Sequence, residues 1–331
     1  MNRTVLVTGG AGYVGSHACK ALARAGWLPV TYDNLSTGNP WAIRWGPFEP
    51  GDIRDRSRLE EVIQRHRVVA VLHFAAVALV AESVREPELY YDVNVAGTLA
   101  VLQACRARGV PHLVLSSSCA TYGIPESLPI TERSAQRPIN PYGMSKLMAE
   151  RVLADFGRSY GIGYATLRFF NAAGADPAAE IGEHRRHETH LIPLILDAVR
   201  GVRPPVQLMG EDYPTPDGTA IRDYVHVSDL ADAHVAALEW LAAGGNALVL
   251  NLGTGRGHSV REVIAAAQAV TGRAVPLVSA PKRPGDPPEL VADATAARRL
   301  LRQKFPHSQS LEQIIGDAWR WHEGWTAAHA A

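Results

Sequence analysis

Two side chains four residues apart, Tyr142 and Lys146, have the types and spacing for proton transfer. A spacing of four places both on one helix face. An ammonium beside a phenol favours the phenolate and lowers the tyrosine toward the range where it acts as a base. Asn140-Pro141 just ahead reads as an N-cap followed by proline at the first helical position. Tyrosine and lysine at this spacing also occur on many solvated helices, so the meaning of the pair depends on what faces it. Ser116-Ser117-Ser118 closes an apolar, strand-like run. The carboxyl ends of parallel strands are where ligands sit, so a hydroxyl there can meet the Tyr–Lys pair, although serines at a strand end also simply cap or turn.

A second kind of chemistry is written in Gly9-Gly10-Ala11-Gly12-Tyr13-Val14-Gly15, with glycines at 9, 12 and 15 between a short apolar run and a helix-length pattern. Glycines let the backbone turn sharply and approach a pyrophosphate, and the helix start behind them offers free N–H groups and a positive dipole end. A glycine triplet alone is equally a structural turn. Here a strand precedes it, a helix follows, and Asp33 ends the next strand 18 residues beyond Gly15. A carboxylate there accepts hydrogen bonds from a ribose 2′-hydroxyl and repels a 2′-phosphate, favouring NAD over NADP.

The elements that must position these groups can be read from periodicity. Thr4–Thr8, Leu28–Asp33, Val68–His73, His112–Ser116 and Tyr164–Phe169 are strand-like apolar runs, separated by helix-length stretches Tyr13–Ala25, Arg56–His66, Glu88–Arg108 and Tyr142–Ser159. Continuous apolar strands alternating with helices predict an α/β protein with a parallel sheet covered on both faces. Past Asn171 proline and glycine become frequent, as in Pro281 to Pro288, and the alternation loosens. The expected architecture is a Rossmann-type doubly wound sheet over residues 1–171 and a smaller mixed α/β substrate-binding lobe over 172–331, with some segments of the second stretch returning to the first lobe.

Composition narrows the class further. The 331 residues are 47% hydrophobic and 20% charged, with 33 basic side chains against 33 acidic ones and no low-complexity tract. A balanced charge lacks the electrostatic footprint of a nucleic-acid binder, and offers an acidic membrane nothing to hold. The longest apolar stretch, Val68 to Ala81, is 14 residues and carries His73, short of the ~20 needed to span a bilayer. No secretory signal pattern opens the chain. Cys19, Cys105 and Cys119 have neither a disulfide nor a zinc spacing. The expectation is a soluble cytoplasmic protein. His184, His187 and His190 recur every three residues beside Glu188, but the spacing fits no zinc pattern and Arg185-Arg186 would repel a cation, so no metal is expected. No histidine is placed beside Cys119, so a nucleophilic thiol is not expected, and Trp319, Trp321 and Trp325 read as packing residues.

Together, Thr8 to Gly15, Ser116-Ser117-Ser118 and Tyr142-Gly143-Met144-Ser145-Lys146 resemble the extended short-chain dehydrogenase/reductase family. Asp33-Asn34-Leu35, Gly51-Asp52-Ile53, His73-Phe74-Ala75-Ala76, Arg168-Phe169-Phe170-Asn171, Asp217-Gly218-Thr219, Arg222 through Val227 and Leu311 to Trp321 are similar to its UDP-glucose 4-epimerase branch, over essentially the whole chain. That resemblance implies an isomerase that interconverts UDP-galactose and UDP-glucose at C4 through a transient 4-keto sugar, with NAD that stays bound. It implies Tyr142 as the base, Ser118 as hydrogen-bond partner of the reacting oxygen, and Lys146 as the residue that holds the nicotinamide ribose and tunes Tyr142. Cofactor contacts are implied at Gly9, Gly12, Tyr13, Val14, Gly15, Asp33, Asn34, Asp52, Ile53, Phe74, Ala75, Ala76, Asn94, Ser116 and Phe169, with Tyr142 and Lys146. Substrate contacts are implied at Ser118, Tyr142, Asn171, His190, Leu191, Arg222, Arg283, Asp286 and Leu290, and a homodimer through helices near the lobe junction.

The departures from that pattern are specific. Ala78 stands where many relatives carry lysine, His190 where an asparagine often helps hold the diphosphate, and Cys119-Ala120-Thr121 where Ala-Thr-Val is usual. Leu290 takes the gate position of the sugar pocket, where tyrosine narrows the pocket and a smaller residue admits 2-acetamido sugars, so UDP-N-acetylglucosamine and UDP-xylose stay open as substrates. A 4,6-dehydratase of this fold needs Asp-Glu after the active-site hydroxyl, and a decarboxylase a glutamate; Cys119-Ala120 supplies neither. A non-catalytic NAD-binding protein commonly loses the tyrosine or lysine kept here.

Overall fold

The computed structural model describes residues 3–283, 286–302 and 305–329. In chain order the strands are β1 (Thr4–Thr8), β2 (Leu28–Asp33), β3 (Phe48–Pro50), β4 (Ala70–His73), β5 (His112–Ser118), β6 (Gly163–Phe169), β7 (Asn171–Ala173), β8 (Val206–Met209), β9 (Ile221–His226), β10 (Ala247–Leu252), β11 (Gly257–Ser259), β12 (Leu277–Ala280) and β13 (Glu289–Leu290). The helices are α1 (Tyr13–Arg24), α2 (Arg56–His66), α3 (Val80–Arg85), α4 (Pro87–Tyr90), α5 (Gly97–Arg108), α6 (Pro141–Tyr160), α7 (Leu191–Val199), α8 (Val227–Ala242), α9 (Val260–Thr271), α10 (Thr295–Leu300) and α11 (Leu311–His329).

Seven strands form one parallel sheet in the order β10-β6-β5-β4-β1-β2-β3. Its inner strands are buried on both faces, so the side-chain alternation splits them between two cores. Val5, Val7, Ala70, Leu72 and Val114 point to the core under α1 and α8, while Leu6, Val71, Leu113 and Leu115 point to the one under α2, α5 and α6. This is the doubly wound Rossmann-type sheet the apolar runs imply. The mixed second layer holds β11-β9-β13 with β7 also on β9, the pair β12-β8, and a third core shared by α7, α9 and α11. Residues beyond 171 contribute to both layers: α8 covers the main sheet and β10 forms its outer strand, in register with β6 from Ala247↔Tyr164 to Leu252↔Phe169.

Several boundaries move. The helix expected over Glu88–Arg108 is α4, then a π-helical stretch at Tyr91–Ala96, then α5. Such π segments often mark functional positions, and this one carries Asn94. β5 runs on to Ser118, so all three serines are strand residues. Edge strand β3 is missing from the sequence reading because three residues beside proline and glycine carry no period. Among the described residues the cysteines are free and buried, and no helix is long and apolar enough to cross a membrane. Trp321 is buried and stacks on Trp325, with Trp41 against both.

Candidate active site

β1 passes into the glycine loop at the carboxyl end of the sheet. Gly9 sits at φ +73°, and a Cβ there would lie 2.5 Å from the Ala75 backbone nitrogen; a Cβ on Gly15 would lie 2.1 Å from the Gly9 oxygen. No side chain fits, which is why both positions are glycine. Gly12 caps α1 in extended conformation with no side-chain acceptor, leaving the first-turn N–H groups for an anion. Asp33 closes β2 with its carboxylate fixed by the N–H groups of Ala11 (3.0 Å) and Leu35 (2.8 Å). Burial raises its pKa and those two bonds hold it back. A side-chain-free turn, an uncapped helix start and an aimed carboxylate fit a dinucleotide.

The other expected cofactor contacts surround this turn. Phe74, Ala75 and Ala76 follow β4, and Thr8 O accepts from the backbone N–H of both Phe74 and Ala75. The rings of Phe74 and Phe169 lean on His234 of α8. Asn34 donates to Asp52 (3.0 Å), whose carboxylate is gripped by Arg54 and held well below the usual range. Ile53 is buried against Gly97, and Val14 is half-buried on α1. Two residues are already engaged. The Tyr13 hydroxyl donates to Gly174 O (2.6 Å), tying α1 to the second layer, so its backbone rather than its phenol is left for a ligand. The Asn94 amide bonds both backbone groups of Val77 and donates to Ser145 Oγ (2.9 Å), stapling the loop after Ala76 to α6.

The catalytic helix begins as the residues imply. Asn140 Oδ1 accepts from Gly143 N (2.8 Å), with Pro141 in the first turn. Tyr142 and Lys146 are both buried on α6, and the Tyr142 ring stands edge-on to Tyr90 at 6.3 Å. Lys146 Nζ donates to Ser116 O (3.0 Å), which draws the helix onto the end of β5. Ser118 Oγ accepts from Ala120 N (3.1 Å) and lies near enough to the Tyr142 phenol to favour its ionised form. One expectation is corrected. Burial pushes the phenol up to about 12, Ser118 and the charge of Arg185 pull it down, and Cys119 adds to the rise. Desolvation is the largest influence, so the phenol sits above its ordinary value rather than below it. The same burial lowers Lys146 to about 8, against the pull of Glu150.

Beneath this pair lies a buried polar network that the sequence reading missed. Glu150, one turn beyond Lys146, accepts from Ser117 Oγ (2.5 Å), from Arg168 (2.7 Å at Nη2) and from Gln136 (3.0 Å). Arg168 also donates to Tyr122 Oη (2.9 Å), and Tyr122 donates to Asn251 (2.7 Å). The available signal was an arginine inside an otherwise apolar strand.

The expected substrate residues fall on the second layer. Asn171 starts β7, and His190 caps α7, which Leu191 opens. Arg222 on β9 bonds Asp286 (2.5 Å). Leu290 on β13 lies beside Arg222 in register and packs with Cys119, Tyr122, Ile130 and Phe170. Arg283 is exposed, its Nε on the Met209 sulfur (2.8 Å), the most solvated of the set. The three histidines at 184, 187 and 190 do not converge: His184 meets Trp41 and Trp325, while His190 pairs with Glu183.

A dinucleotide cradle and a Ser–Tyr–Lys group at strand ends define a dinucleotide-dependent enzyme. Residues 5–253 match the NAD dependent epimerase/dehydratase family, and the chain belongs to it. A relative from Rhizobium leguminosarum bv. trifolii named UDP-glucose 4-epimerase is 50% identical over 319 residues, 96% of this chain and 97% of that protein. The crystal structure of UDP-glucose 4-epimerase from Brucella ovis in complex with NAD superposes with a TM-score of 0.93 at 51% identity, covering 96% of this chain and 98% of that one. The Stenotrophomonas maltophila UDP-glucose-4-epimerase with bound NAD and formylated UDP-arabinopyranose gives 0.95 at 42% identity, covering 98% and 99%. This chain is likewise an NAD-dependent epimerase, with NAD as its cofactor.

Proposed function

We propose that this enzyme interconverts UDP-galactose and UDP-glucose by oxidising and re-reducing C4 of the sugar. The observation that carries the reading is Ser118 at the carboxyl end of β5 beside the buried Tyr142 and Lys146 of α6, which Lys146 Nζ ties to Ser116 O, in a sheet whose first turn is the dinucleotide cradle. Bound NAD would accept and return the hydride, held by the Gly9–Gly15 turn, Asp33 and the stretch after β4. Tyr142, ionised, takes the proton of the 4-hydroxyl, and Ser118 holds the reacting oxygen. Lys146 places a positive charge beside the nicotinamide ribose and the phenolate as charge develops there. The 4-keto sugar turns over in the pocket and is reduced on its other face, the proton returning from Tyr142. Asn171, His190, Leu191, Arg222, Arg283 and Asp286 hold the nucleotide part, while Leu290 and Cys119 shape the sugar end. Residues 1–171, joined by α8 and β10, form the cofactor lobe and the rest of 172–331 the nucleotide-sugar lobe, in a cytoplasmic protein.

The test is incubation of the purified protein with UDP-galactose and no added NAD, followed by proton NMR. UDP-glucose appearing supports the reading. Absence of conversion, with NAD supplied as well, refutes it for this substrate and directs the assay to UDP-xylose and UDP-N-acetylglucosamine. A homodimer is part of the proposal. Neighbouring α3, α4 and α6 expose Val80, Val84, Leu89, Met144 and Met148, with Tyr91 in the π turn, an apolar face suited to a second copy.

A further inference from the structure

The loop between β7 and α7 holds a carboxylate with an unusual assignment. Glu183 is 4% exposed, and its Oε1 accepts from both His190 Nδ1 (2.6 Å) and Arg185 Nε (3.0 Å). Burial alone would raise its pKa; His190 and Arg185 hold it below the ordinary value, so it stays an anion. A buried carboxylate bound to a guanidinium and an imidazole that themselves stay partly open, 28% for the Arg185 side chain and 41% for His190, anchors them for something else. Glu188 fixes the turn, its Oε1 accepting from the backbone N–H of Thr189 and His190.

Arg185 spends only Nε on this anchor. Neither Nη group has a hydrogen bond among the described residues. Arg185 and His190 share the Glu183 Oε1 anchor, so the guanidinium is held beside a residue assigned above to the nucleotide part, at the entry to α7. A guanidinium held by one edge presents two parallel N–H donors, the geometry that grips a phosphate. The loop belongs to the second layer and leads directly into the start of α7, where no side chain caps the first turn.

Resting on the epimerase reading above, we propose that Arg185 is a further substrate-binding residue, its Nη groups bonding the diphosphate of the nucleotide sugar, and that Glu183 is the positioning residue that aims it. The experiment is calorimetric titration of UDP into the NAD-loaded protein, the parent against R185A, R185K, E183Q and the E183Q/R185A double variant. R185A weakens UDP about tenfold, the loss of one charge-assisted bond, and leaves the bound NAD content unchanged. R185K recovers part of that loss. E183Q weakens UDP in the parent and adds less once Arg185 is gone, what remains being its hold on His190. Unchanged UDP affinity in R185A, or loss of NAD in place of UDP, overturns the proposal. So does an E183Q effect that persists in full in the double variant. If E183Q fails to fold, R185A and R185K decide alone. A parent that binds no UDP removes the epimerase reading and this inference with it; a parent that binds UDP as tightly as R185A removes only the inference.

Discussion

Tyr142 has to ionise in surroundings that resist its ionisation. Burial takes the phenol up to about 12, and the neighbouring Ser118 pulls the other way. Removing the ionisable oxygen with Y142F keeps the ring packed against Tyr90 and should abolish epimerisation while NAD stays bound; activity within tenfold of the parent by the NMR assay would disprove the base. S118A leaves Tyr142 with burial and one helper fewer, and should cost about a hundredfold in kcat with a smaller change in KM. At the sugar end, Leu290 is buried with Cys119 and Phe170. L290Y should suppress turnover of UDP-N-acetylglucosamine more than that of UDP-glucose, and equal losses in paired kcat/KM measurements would show that it is no gate. These positions were legible because their chemistry is local: a pair at one helical turn and a hydroxyl at a strand end. Arg185 was not, since in sequence it sits in a charged run that looks solvated, and only the fold shows Glu183 turning it inward.

Elements carry the next layer of argument. α6 is fixed at its start by Asn140 and along its length by two ties to β5, Lys146 to Ser116 and Glu150 to Ser117. N140A should cost about 1 kcal/mol, the usual worth of such a cap. Breaking the buried pair with R168M leaves Glu150 charged and short of its partner, which typically costs ~3–5 kcal/mol. Urea unfolding of that variant against the parent checks the figure, and a loss near zero would mean that the network is dispensable. Strands with both faces buried announce themselves as apolar runs, so the core sheet could be read directly. The Glu150–Arg168 pairing could not, because it depends on β6 lying beside β5 in register, which no spacing along the chain encodes.

The whole molecule answers to pH through its buried imidazoles, of which His17, His234 and His73 show the cause most directly. His17 and His234 each donate Nδ1–H to a helix carbonyl and keep Nε2 buried without a partner. His73 bridges Thr8 and Thr98; because Thr98 gives its proton to Asn94 O, His73 donates through Nε2 and accepts through Nδ1. Burial lowers all three, to about 4, 4 and 3 respectively. With folded values below the unfolded one, the unfolded chain takes protons first. Stability is therefore full above about pH 6.5 and is lost as pH falls, each residue costing about 1.4 kcal/mol per unit. Unfolding free energies measured from pH 7 to 5 should drop accordingly, and a flat profile would show that these rings are not held neutral. At the same scale, M148E should convert a dimer to monomers in sedimentation velocity, whereas an unchanged sedimentation coefficient would place the interface elsewhere.

The return of β10 to the main sheet has an evolutionary reading. A gene split after residue 171 would encode a first half whose strand β6 ends as a bare parallel edge, its carbonyls and amides unpaired from Tyr164 to Phe169. The second half would lose the surface on which α8 lies. Neither piece is an exchangeable module, so recombination cannot graft a new sugar-recognition lobe onto this cofactor lobe by one crossover. New specificity has to arrive by point changes at places such as position 290 or the exposed positions 184, 186 and 187, which leave the shared sheet whole.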